Sequence, residues 1–263
     1  GLAVLKTINL ICIPLENADG VATLEGLLPD GPDYKLHAAR YNAYGVEWYA
    51  DYFAADPQFP ESRIKAGLWR RWLPRIVLDC HGIPSHEWEQ PYAGYAPGAF
   101  RSYWLPRAFV YAIVPFLDEP KHPGHASARC LARHLQQSVA ARDSIQAWNR
   151  RFQDRYDRYA RSRDPEIFQA ASSDTLTVLP PEARIQAQNF GQQYWPVTWT
   201  EIVSEVTDEI ASGELLAECV QAHRSIARSL MDFLLERQPR VELVTVFNGS
   251  QETWSWRRND PAS

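Results

Sequence analysis

The sequence is notable first for what it lacks. It has no Cys-x-x-Cys pair: the four cysteines, Cys12, Cys80, Cys130 and Cys219, are scattered along the chain. That spacing excludes a cysteine zinc site of the usual kind. Cys12 and Cys80 fall in apolar runs, where buried free thiols are expected. There is no excess of positive charge, since 27 Lys and Arg face 32 Asp and Glu for a net charge of -5. A nucleic-acid partner is therefore disfavoured. No apolar run approaches the roughly 20 residues a membrane-spanning helix needs. No signal-peptide pattern is present and the chain opens at Gly1, so a processed or truncated start is expected and the compartment stays open. Internal repeats and a clear linker are also missing, and one domain over residues 1–263 is expected.

What is present is an ordinary globular composition, 45% hydrophobic and 22% charged, with 10 tryptophans. Such a length can bury a sizeable core. Residues 7–14, TINLICIP, read as a buried strand that ends at Pro14 and gives way to a polar turn, Glu16-Asn17-Ala18-Asp19-Gly20. Residues 23–34 carry Pro and Gly breaks and read as a loop. Ile64, Leu68 and Trp72 recur at helical spacing over 61–72, and Pro74 ends that helix. A second buried strand follows, Arg75 to His81, and then a loop rich in Pro, Gly and aromatic residues. Loops after strands are where α/β folds place their chemistry.

Residues 124–162 read as one or two long helices. Their arginines, Arg150 to Arg163, are interleaved with Asp154 and Asp157, the pattern of a solvated helix face. A strand is expected from Val197 to Val206, a helix from Glu214 to Glu236 and a last strand over Val241–Phe247, with a polar tail, 249–263, that frays. Strands alternating with helices predict an α/β layer architecture.

Three chemical features stand out. His81 ends a strand, where an imidazole can reach a cleft at the sheet edge; by itself such a histidine is as readily a hydrogen-bonded structural residue. Glu201 and Glu205 lie an even number of residues apart on a strand and so project from one face. They suit either a general base in an apolar setting or the solvated side of an edge strand. Arg40 offers a guanidinium that can stabilise an oxyanion or simply form a surface ion pair.

Taken in order, these pieces resemble the M14, carboxypeptidase A-like, zinc metallopeptidases. Asn17-Ala18-Asp19-Gly20 resembles the family's Asn-Pro-Asp-Gly string, and Arg40 falls where the family carries a carbonyl-polarising arginine. Gly45-Val46-Glu47 is similar to Gly-Val-Asp, His81 with Pro91, Gly94 and Tyr95 behind it matches the third zinc ligand, and Glu205-Val206-Thr207-Asp208 matches the string of the catalytic glutamate.

The resemblance implies a single domain with a mixed, mostly parallel central sheet flanked by helices, plus a helical insertion at about 120–163. It implies one Zn²⁺, held by His81 and by a His-x-x-Glu pair lying upstream of this chain. Glu205 would be the general base, Arg40 the oxyanion stabiliser, and His86, Tyr49 and Glu201 would line the substrate cleft. The substrate would be a peptide or a small acyl-amino acid. Two departures are plain. The chain's own His86-x-x-Glu89 follows His81 rather than preceding it, and Tyr49-Ala50-Asp51 stands where the family grips a terminal carboxylate with an Asn-Arg pair. The second weighs against exopeptidase action, and both leave open a metal-free binding module of the same fold.

Overall fold

The computed structural model describes residues 6, 8–30, 40–48, 51–52, 54–82, 110–114, 125–159, 176–178, 194, 197–208, 211–236, 241–248 and 251–258. Its elements in chain order are α1 (Ala18–Leu27), α2 (Pro60–Trp72), β1 (Ile76–Gly82), β2 (Val110–Val114), α3 (His125–Ala140), α4 (Asp143–Tyr159), β3 (Leu176–Val178), β4 (Thr200–Val206), α5 (Gly213–Glu236), β5 (Val241–Asn248) and β6 (Gln251–Arg258).

The central sheet has the order β1-β4-β2-β3. β1 runs parallel to β4, β2 antiparallel to β4, and β3 parallel to β2. The protein is thus α/β in kind, with a mixed sheet. β5 and β6 form a separate antiparallel hairpin pairing Val241 with Arg258 through Asn248 with Gln251. Residues 251–258 of the tail expected to fray are therefore half of a hairpin.

Helices cover both faces of the β1–β4 pair. On one side α5 buries Cys219, Ala222, Ile226 and Phe233, a stripe that recurs every three or four residues. It packs with Leu131 and Leu135 of α3 and Ile145 of α4 against Ile202 of β4 and Ile76 and Leu78 of β1. On the other side Trp48, Tyr52, Ala66 and Trp69 form a smaller aromatic core that includes Val77 of β1. This two-sided burial follows from strand alternation, since residues 76 and 78 point one way and 77 the other.

Several local expectations change. Residues 8–15 contain no strand, and Leu10, Ile11, Ile13 and Leu15 are exposed. An apolar run forms a strand only where a neighbour supplies ladder hydrogen bonds, and no strand pairing involves this run among the described residues. Asn17 does not sit in a turn but caps α1: its side chain accepts from Gly20 N at 3.0 Å and donates to Tyr41 O at 2.9 Å. The start of the expected 23–34 loop belongs to α1.

Of the stripe read on α2, Ile64 and Trp72 are exposed and Leu68 is half-buried. The buried stripe is Ser62, Ala66 and Trp69 instead. Small residues at two of its positions let the helix approach closely, and the Trp69 Nε1 donates to Thr198 Oγ1 at 3.3 Å. α2 ends where Leu73 turns left-handed, φ 44, just before Pro74. A proline disfavours the right-handed helical region for the residue before it. β1 is half-buried rather than buried, and Cys12 and Cys80 are exposed thiols. Residues 124–162 do supply two helices, α3 and α4. No helix among the described residues is long and apolar enough to cross a membrane.

Ile202 is fully buried at the centre of the larger core. Ile202→Ala is expected to lower unfolding free energy by about 2–4 kcal/mol, read from urea denaturation. Ile64→Ala, on the exposed face of α2, should change it by less than about 1 kcal/mol.

Candidate active site

The site is built by register. β1 and β4 run parallel and pair His81 with Glu205 directly, one residue before Gly82 pairs with Val206 at the strand ends. With a period of two, Asp79 and His81 share a face with Glu205. β4 lies inside the sheet, between β1 and β2, so Glu205 is not on an edge strand, and Tyr111 of β2 is its partner on the far side. Both residues thus stand at the carboxyl ends of adjacent parallel strands, where open α/β sheets place their ligand sites. Glu205 is only 1% exposed, whereas 42% of the His81 side chain reaches solvent.

The imidazole lies between two carboxylates. Its Nε2 is 3.2 Å from Asp79 Oδ2 and its Nδ1 is 3.7 Å from Glu205 Oε1. Asp79 Oδ2 is also 3.7 Å from Lys65 Nζ, which lies 3.7 Å from Glu16 Oε1 and 4.8 Å from the centre of the Tyr52 ring. Tyr52 donates to Glu16 and accepts from Trp48 Nε1 at 2.9 Å. The chain of contacts runs from the aromatic core through Glu16, Lys65 and Asp79 to His81.

The charges set the protonation states. Burial opposes ionisation of His81, but the bond to Asp79 and the charges of Asp79 and Glu205 outweigh it and raise the imidazole to about 9. Burial likewise works against the Asp79 carboxylate, yet His81 and Lys65 hold it well below the usual range. Burial and the neighbouring Glu16 keep the Tyr52 phenol protonated. Behind the sheet, burial first and the charge of His81 second pull His223 down to about 4, so that ring is neutral.

Gly82 contributes by having no side chain. A Cβ there would collide with the Asp208 carboxylate, so the glycine lets the segment after β4 fold over the end of β1. Asp208 therefore lies at the same strand ends, but on the face of Ile76, Leu78 and Gly82 rather than that of His81 and Glu205. Sequence reasoning placed Asp208 in a matching string without a role, and it missed Glu16, Tyr52 and Lys65. Only the Glu205–Asp208 spacing carried a signal for any of these.

The remaining expected residues are placed differently. Arg40 pairs with Glu47 at 3.0 Å, the two side chains being 40% and 43% exposed, which is the surface ion-pair arrangement. Glu201 shares the face of Glu205 but lies four residues back, opposite Val77. At strand rise that is roughly 13 Å from the pair, too far for a direct part in it. Tyr49 and His86 lie outside the described residues. Asp51, which stands where a cation was expected, accepts from the backbone N–H groups of Gln58 and Phe59 at the start of α2. Burial opposes its charge, but these bonds prevail and lower its carboxyl below the usual range. Its role is to hold α2.

A histidine that gives one ring nitrogen to a carboxylate and presents the other to an acidic recess has the donor arrangement of a metal ligand. His81 fits that part. The surplus of carboxylates over Lys65 favours positive charge there, supplied by a proton on the ring when no cation is bound. Among the described residues no group of three or more His, Cys, Asp and Glu side chains is placed to hold a metal ion. A zinc ion at His81 would need donors from outside them. No protein-family model, curated protein or solved structure matches the chain.

The raised His81 pKa fixes a sign. Its pairing stabilises the fold fully below its ordinary value of 6.5, and the contribution fades as pH rises through about 9. Metal-free protein should therefore lose stability between pH 7 and 10, and His81→Gln should flatten that limb, as read from urea midpoints across the range. On the acid side neutral His223 acts the other way, costing stability as pH falls from 6.5 toward about 4.

Proposed function

We propose that this chain carries the working pair of a zinc-dependent hydrolase of the metallocarboxypeptidase type, acting on the amide bond of a peptide. The observation that supports this reading is the pairing of His81 with the buried Glu205 at the carboxyl ends of parallel strands. In it, His81 would hold a zinc ion together with further donors from outside the described residues, and the α/β domain would be of the zinc-carboxypeptidase kind.

A zinc ion bound there would supply Lewis-acid polarisation of the carbonyl and an acidified water. The protein's own residues do the rest. Glu205, at 3.7 Å from the ring, accepts the proton of the attacking water and delivers it to the leaving amine. Burial keeps its carboxylate out of bulk solvent. Asp79 holds His81 by Nε2 and so fixes which nitrogen faces the cleft. Lys65, itself held by Glu16, keeps Asp79 ionised. Arg40 enters the reaction only by exchanging Glu47 for the substrate oxygen. With Asp51 committed to α2, recognition of a terminal carboxylate falls to other residues.

One alternative has its own support. The closed Asp79–His81–Glu205 contacts and the Arg40–Glu47 pair suit a metal-free binding module of the same fold. A deacylase of small acyl-amino acids would use the same pair on a shorter substrate.

Glu205→Gln separates these. It is expected to lower turnover of a peptide panel by about 10²–10⁴-fold, while zinc content by metal analysis stays at the wild-type level. Full activity in the variant would contradict the role of Glu205. A wild-type protein that binds neither zinc nor shows turnover would support the binding module, and cleavage of acyl-amino acids but not peptides the deacylase.

A further inference from the structure

His223 belongs to α5, on the side of the sheet away from Glu205. Its Nδ1 lies 2.8 Å from Ser204 Oγ, and its ring also hydrogen-bonds the backbone of His81. Ser204 is fully buried, immediately precedes Glu205 and pairs in register with Cys80, which immediately precedes His81. A single imidazole thus ties one helix to both strands at the level of the site. The neighbouring contacts of α5, through Ala222 and Ile226, are apolar. Apolar contacts resist separation but are non-directional. The two hydrogen bonds of His223 are directional, and within the register that the β1–β4 ladder sets they tie the main chain at His81 and the side chain of Ser204 to the same ring.

We propose that His223 is a positioning residue, which holds the main chain at His81 and the side chain of Ser204 from behind the sheet and so sets the distance between imidazole and carboxylate on the front. The proposal rests on reading His81 and Glu205 as the working pair, but its test does not require that zinc bind. In one arm, the ring resonances of His81 in the metal-free chain are followed by NMR at fixed pH, assigned by their loss in His81→Gln. In the other, Zn²⁺ affinity is measured by competition with a chromophoric chelator.

His223→Leu is expected to displace the His81 ring resonances and to weaken Zn²⁺ binding about 10-fold or more, the usual effect of losing an outer-shell support. His223→Gln, which keeps a donor and an acceptor, is expected to restore both. A His223→Leu protein with a lower thermal midpoint but unmoved His81 resonances would overturn the proposal and leave His223 a plain core residue. If wild type binds no Zn²⁺, the zinc assignment of the site fails and the resonances alone decide the positioning role. Should His223→Leu not fold, Ser204→Ala carries the test: displaced His81 resonances support the proposal and unchanged ones overturn it.

Discussion

Everything proposed for this protein depends on the main-chain hydrogen bonding that sets β1 against β4. Seven residue pairs are in parallel register, from Ile76 with Thr200 to Gly82 with Val206. A slip of one residue would turn every side chain of one strand to the opposite face. His81 would then face the apolar helices and Glu205 would lose its neighbour. The register is fixed because each face has a distinct demand. Ile76, Leu78 and Ile202 belong in the large helical core, and Val77 in the aromatic core. The hydrophobic pattern that folds the sheet is thus the same pattern that brings imidazole and carboxylate together.

The second constraint is charge. Glu16, Asp79 and Glu205 gather around one lysine and one histidine. Burying a carboxylate is costly unless a positive partner compensates. Lys65 compensates the pair on its own side, and His81 does so by holding a proton well above the ordinary imidazole range. A site arranged in this way favours positive charge, and the proton on His81 supplies it. The aromatic residues Trp48 and Tyr52 close the other end of the network through the phenol bonded to Glu16.

Much of the framework was legible in the sequence because it rests on period and breakers. The helix before Pro74, the strand ending at His81, the strand ending at Val206 and the long helix after it follow from apolar spacing, and each lies within a few residues of its expected span. The His81–Glu205 juxtaposition is a matter of which strands neighbour each other, and no local pattern carries that. The failures are of the same kind. Residues 8–15 have strand composition without a strand to pair with. Ile64 and Trp72 make a helical stripe as regular as Ser62, Ala66 and Trp69, and only the partner surface chooses between them. Arg40 has the chemistry of an oxyanion donor, but Glu47, seven positions on, meets it first at the surface. Asp51 looked like a misplaced charge until its backbone partners at the start of α2 gave it a local purpose.

The central claim, that positions 81 and 205 stand side by side, can be tested by cross-linking. Neighbouring strands lie about 4.8 Å apart, within the reach of a disulfide. In a background with the four native cysteines replaced by serine or alanine, the H81C/E205C protein is expected to form an intramolecular disulfide readily under mild oxidation, and the H81C/S204C protein to form it poorly, because its second thiol faces the other side of the sheet. Equal cross-linking in the two, or preference for the second, would contradict the register on which the site depends.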